Sequence, residues 1–156
     1  LTSALALNYN ANWVREFARE YLDAQQVPYK QEDLRKIAEG QIRLEEDEIR
    51  KGKPILFCDT NLLVIKVWSE FKYGCCDPWI VEQLKLRKYD LHLLTHIDVP
   101  WQEDPLREHP TKREELYAIY KNELINLGLP YLELVGDESE RLVSACLHID
   151  NLLIHD

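Results

Sequence analysis

The sequence predicts an α/β fold, a mostly parallel sheet with helices on both faces. Two observations carry this. Short apolar runs alternate with helically periodic segments, in the order helix, strand, helix, strand, helices, strand, helix, strand, helix. Strand candidates separated by helices imply right-handed crossovers, which pack helices against a parallel sheet. The chain has 156 residues, 46% hydrophobic and 30% charged, the size and balance of a single globular domain spanning 1–156.

Residues 1–7 are apolar and alanine-rich, like the body of a helix whose beginning lies upstream. Residues 12–17 form a short strand candidate that runs on into a helical piece, 18–24. A long helix is expected over 31–51. Glu32 and Asp33 suit its first turn, Leu34, Ile37, Ala38, Ile42 and Ile49 recur at helical spacing, and Gly52 with Pro54 end it. Within it the acidic run 45–48 reads as a solvated face. Ile55-Leu56-Phe57-Cys58 is a continuous apolar run stopped by Asp59, the pattern of a buried parallel strand. Residues 61–71 are helical. Asp77-Pro78 is a cap followed by proline at the first helical position, opening a helix to residue 88. Residues 91–97 form a strand, and 100–110 a charged loop with little periodicity. Thr111 and Glu114 form a capping box for a helix with Leu116, Tyr120, Leu124 and Leu127 on one stripe. Gly128 and Pro130 stop it. Residues 131–135 are a strand, and Asp137 with Glu140 caps the last helix.

Composition narrows the function classes. The 28 acids against 19 bases give a net charge of −9, a poor surface for duplex nucleic acid. No apolar run approaches the roughly 20 residues of a membrane helix, and no signal peptide is evident. Four cysteines without a C-x-x-C spacing read as free thiols, and the adjacent Cys75-Cys76 pair has no metal-ligand spacing around it. A cytoplasmic protein is expected, N-terminally incomplete because the sequence starts at Leu1 and contains no methionine.

Parallel sheets bind ligands beyond the carboxyl ends of their strands. The strand at Asn12 runs out at Arg15-Glu16, and that at Ile55 at Asp59-Thr60-Asn61. An acid directly after a buried strand suits magnesium or its water in a phosphoryl-transfer site. A second acid on the neighbouring strand end is placed to accept a proton from an attacking hydroxyl. The alternative is that Asp59 caps the following helix and Glu16 pairs with Arg19. Arg107, between prolines in the loop, is either a clamp on phosphates or part of a solvated charged segment. Trp68, Tyr73, Trp79 and Trp101 offer either core packing or a slot for a cationic ring. His92 and His96 lie on one strand face without a third ligand, short of a metal set.

Several segments carry a family resemblance. They are Trp13-Val14-Arg15-Glu16-Phe17-Ala18-Arg19-Glu20-Tyr21-Leu22, Ile37-Ala38-Glu39-Gly40-Gln41, Phe57-Cys58-Asp59-Thr60-Asn61-Leu62-Leu63 and Lys66-Val67-Trp68-Ser69-Glu70. Tyr89-Asp90-Leu91, Asp98-Val99-Pro100-Trp101, residues 104–110 and the stretch from Gly136-Asp137 to Arg141-Leu142 also fit. In this order they resemble the NadR-like ribosylnicotinamide kinases, P-loop ATPases of the nucleoside kinase group.

The resemblance implies a P-loop fold, ATP and Mg2+ as cofactors, and transfer of the γ-phosphoryl group to a nucleoside 5′-hydroxyl, ribosylnicotinamide foremost, in NAD salvage. It implies that Asp59 is the Walker-B acid acting on magnesium or its water, and Glu16 the general base or a ribose ligand. Arg107 resembles a lid arginine in a loop of about 98–111, and Gly136 and Asp137 fall at the adenine-side loop. Arg19, Gln41, Asn61, Trp68, Tyr73 and Trp101 are expected to contact the nucleoside. No Gly-x-x-x-x-Gly-Lys-Ser/Thr element occurs. The family carries it just before the position of Leu1, so the first strand and Walker-A loop are expected upstream. A nucleotide-sensing ATPase domain without small-molecule chemistry is the alternative. The expected partners are ATP and a nucleoside, with no nucleic acid or membrane, and oligomerisation is left open.

Overall fold

The computed structural model describes residues 1–25, 28–100 and 110–155. They fall into two compact units, Thr2–Lys88 and Tyr89–Asp156.

The first unit contains α1 (Thr2–Asn8), β1 (Asn12–Val14), α2 (Phe17–Asp23), α3 (Gln31–Ile49), β2 (Leu56–Cys58), α4 (Leu62–Tyr73) and α5 (Pro78–Leu86). Strands β1 and β2 pair in parallel, with Asn12 opposite Leu56, Trp13 opposite Phe57 and Val14 opposite Cys58. Leu34, Ile37, Ala38 and Ile42 on α3 are buried, as their spacing predicts, and α3 packs against both strands. Leu34 and Ile37 are each 1% exposed, and burying each contributes about 1.5–3 kcal/mol. Asp77 accepts a hydrogen bond from the Trp79 amide at 2.8 Å, with Pro78 at the first helical position of α5.

Two expectations in this unit are corrected. The strand ends at Val14, because Phe17 already begins α2 and gives its amide hydrogen to the Gln41 side chain. The acidic run is not wholly solvated. Glu45 is 3% exposed and meets the guanidinium of Arg87 at 3.4 Å, which also bonds Glu46 at 2.7 Å. A buried carboxylate persists where a cation offsets the loss of water.

The second unit contains β3 (His92–Thr95), a single 3-10 turn (Pro110–Lys112), α6 (Arg113–Asn126), β4 (Tyr131–Leu134) and α7 (Glu138–His155). Strands β3 and β4 are also parallel, with His92 opposite Tyr131 and Thr95 opposite Leu134. Leu124, Leu134, Ala145 and Ile149 are buried there. Asp137 and Glu140 exchange side-chain and backbone hydrogen bonds at 2.8 and 2.9 Å, the reciprocal cap expected for α7. The Thr111–Glu114 box is not formed. Thr111 lies inside the 3-10 turn, and Lys112 stands at the cap position without a side-chain capping bond. The stripe on α6 is also partial, since Leu124 is buried while Leu127 is 39% exposed.

The architecture is therefore α/β with parallel strands joined through helices. No helix among the described residues is long and apolar enough to cross a membrane.

Candidate active site

Glu16 and Asp59 stand at the same end of the β1–β2 ladder. Val14 and Cys58 are the last paired residues, and the Asp59 amide extends the ladder by donating to the Val14 carbonyl at 2.7 Å. Parallel pairing fixes this result: each acid follows its strand, so both lie at the carboxyl edge. Asp59 is exposed, and its carboxylate makes no hydrogen bond or ion pair with any described residue. Glu16 is half-buried at the start of α2, with Arg19 at 3.6 Å.

The turn after β2 explains why Asp59 stays open. Asn61, not Asp59, caps α4: its side-chain oxygen accepts from the Leu63 amide at 3.0 Å. Between them Thr60 has φ of 68°, a left-handed conformation rare for a β-branched residue. Of the alternative reading, the Glu16–Arg19 pair is present and the Asp59 cap is not. The conformation of Thr60 is invisible in the sequence, because no glycine marks it.

The turn after β1 is held from α3. Gln41 is 1% exposed, and its side-chain oxygen accepts from the Phe17 amide at 3.0 Å. Its side-chain nitrogen is buried without a partner among the described residues. The preceding Gly40 lets the Phe17 ring lie on the helix, since a Cβ there would sit 2.0 Å from the ring. Gly40 and Gln41 together seat the residue that follows Glu16.

The aromatic residues are already engaged. The Trp68 indole donates to the Tyr29 hydroxyl at 2.9 Å and meets that ring edge-on at 5.0 Å. The Lys72 ammonium lies 3.8 Å from the Tyr29 ring centroid and 5.8 Å from that of Tyr73. Arg35 covers Trp79 at 4.6 Å. Arg107, Trp101 and most of the expected lid loop lie outside the described residues.

In the second unit, the Asp98 carboxylate beyond β3 accepts from the Gly136 amide at 2.6 Å beyond β4. That bond, with Arg141 close by, holds the Asp98 carboxyl below its usual range. Arg141 also donates to the His96 carbonyl at 2.8 Å, and Arg113 donates to the carbonyls of Ile97 and Val99 at 3.0 and 2.9 Å. Two arginines thus clasp residues 96–99, a device the sequence does not reveal. The amide of Gly136 and the cap-forming groups of Asp137 serve this local structure. Gly136 has φ of 90°, and a Cβ there would sit 2.2 Å from a Glu140 oxygen. His92 is buried, with its imidazole pKa lowered by loss of water, and a ring nitrogen lies 3.2 Å from the Pro130 carbonyl. His96 stacks edge-on with Tyr117 at 4.8 Å. No cluster of three or more potential metal ligands occurs among the described residues.

Parallel strands, each followed by an acid beyond its carboxyl end, define an α/β protein. Comparison with known proteins makes this specific: residues 1–141 match the model of the AAA domain family, and the chain belongs to that family. Among solved structures it is similar to a crystal structure of the NadR protein in complex with NR, with a TM-score of 0.69 and 24% identity. That match covers 88% of this chain and 42% of the other, so the chain spans less than half the length of the structure it resembles. No curated protein matches it significantly.

Proposed function

We propose that this chain is a single nucleoside kinase domain, or the greater part of one, that uses ATP and magnesium to phosphorylate a nucleoside 5′-hydroxyl, with ribosylnicotinamide as the preferred acceptor. The observation that carries the reading is the pair of acids, Glu16 and Asp59, beyond the aligned ends Val14 and Cys58. Phosphoryl transfer needs a group beside the metal and another beside the attacking hydroxyl, and adjacent parallel strands supply both positions. The fold shared with the nucleoside-bound NadR structure supports the choice of substrate class.

Asp59 fits a magnesium site by chemistry. It is an exposed oxygen donor without an internal partner, and magnesium is commonly held by one or two carboxylates together with substrate phosphates. When bound, magnesium neutralises charge on the transferred phosphates. Glu16, with Arg19 at 3.6 Å, accepts the proton of the 5′-hydroxyl. The unpaired Gln41 nitrogen donates to a nucleoside oxygen, and Arg19, Asn61, Trp68, Tyr73 and Trp101 complete the acceptor side. By the family resemblance, Arg107 would serve the phosphates, and Gly136 and Asp137 the adenine side. Free thiols and net negative charge suit a cytoplasmic enzyme of small molecules rather than one of nucleic acid.

The test is monophosphate formation by the full-length protein with ATP, magnesium and a nucleoside panel. Ribosylnicotinamide should lead. Another nucleoside in first place would revise the acceptor only. ATP binding without any nucleoside monophosphate would overturn the kinase in favour of a nucleotide sensor.

A further inference from the structure

Cys75 and Cys76 stand side by side between α4 and α5, and the kinase chemistry uses neither. Both are free thiols, Cys75 exposed and Cys76 half-buried. Their loop is braced at each end. Gly74 closes α4 with φ of 76°, and Asp77 caps α5. The Cys75 carbonyl accepts from the Ser69 hydroxyl at 2.8 Å and from the Gln31 side-chain amide at 3.2 Å. That Gln31 amide also lies 3.1 Å from Cys75 Sγ, while Ser69 interacts with the Cys76 thiol. Two thiols are therefore presented from adjacent backbone positions that neighbouring helices hold in place.

Joining these sulfurs directly is unfavourable. Neighbouring residues across a trans peptide have Cα atoms about 3.8 Å apart, whereas relaxed disulfides span roughly 4.4–6.8 Å. A strained disulfide is readily reduced. One larger thiophilic atom between the sulfurs lengthens the bridge and removes that mismatch. We propose that Cys75 and Cys76 form a two-thiol binding site for a thiophilic trivalent centre of the arsenical type. With an arsine oxide the reaction is a condensation. The As–O bonding is replaced by two As–S bonds, both thiol protons leave with the oxygen as water, and arsenic stays trivalent. No oxidant takes part.

Phenylarsine oxide is a suitable probe, added in one equivalent to the 156-residue chain. Intact mass should rise by one arsenical less one water, and iodoacetamide should then label two of the four cysteines. Excess monothiol should leave the adduct in place, and 2,3-dimercaptopropanol should release it. C75S and C76S should each abolish the stable adduct, while C58S and C146S should retain it. Cys75 is exposed, so C75S tests the site without disturbing the core. Labelling of all four cysteines after treatment would overturn the proposal. So would displacement by monothiol, or an adduct that persists in C75S and C76S.

Discussion

The side-chain oxygen of Gln41 accepts the amide hydrogen of Phe17 at 3.0 Å, across 24 positions of sequence. This bond fixes where β1 stops and α2 starts, and so where Glu16 stands. It is also a vulnerable contact, because a part-buried backbone donor that loses this acceptor is poorly placed to replace it with water.

Replacing Gln41 with leucine keeps the helix and most of the volume but leaves the Phe17 amide unsatisfied. The expected loss is about 1–3 kcal/mol, read as a lower urea midpoint with unchanged slope. A midpoint equal to that of the parent would show that the bond does not hold the turn.

Gly40 makes a sharper case. A methyl group at this position would sit 2.0–2.4 Å from three carbons of the Phe17 ring, so the ring must move. Gly40→Ala should cost about 1–3 kcal/mol despite the better helix propensity of alanine. In Phe17→Leu the same substitution should cost clearly less. A double-mutant cycle in urea measures this coupling, and additive effects would remove the steric explanation.

These contacts mark the limit of what the sequence revealed. The strand at Ile55 was legible because an unbroken apolar run met Asp59, and both α5 and α7 were legible from local caps. Phe17 reads as strand in the sequence because its partner lies 24 residues away. Glu45 reads as solvated in the sequence because the run 45–48 is uniformly acidic, and Arg87, on another element, helps make its burial tolerable. Both acids beyond the strand ends were legible, since Asp59 directly follows its apolar run and Glu16 lies where the run from Asn12 gives out. The open state of Asp59 was not, because it depends on Asn61 taking the cap and Thr60 adopting a positive φ.

Asp33 gives the first unit a pH dependence. The Lys30 amide, the Lys36 ammonium and the Tyr21 hydroxyl bond its carboxylate and lower its pKa from 3.8 to about 2. A depressed carboxyl group stabilises the fold above its unfolded pKa, and that contribution disappears as pH falls from about 4 to 2. The expected size is on the order of 1–2 kcal/mol. Urea titrations at pH 6 and below pH 3 should therefore differ less for Asp33→Asn than for the parent chain. Equal pH dependence would deny Asp33 this role.

The last prediction separates the two acids at the strand ends. If Asp59 organises magnesium, Asp59→Asn should raise the magnesium concentration needed for half-maximal turnover and lower kcat by roughly 10²-fold or more. The fold should survive, because Asp59 is exposed and its ladder bond uses the backbone amide. Glu16→Gln should act differently. It retains a polar side chain of the same size but cannot take a proton, so kcat should fall by about 10²–10⁴-fold with little change in the magnesium requirement. Initial rates of the full-length protein across magnesium concentrations separate these effects. A magnesium shift in Glu16→Gln and none in Asp59→Asn would exchange the two roles, and normal turnover in both would remove this edge from the chemistry.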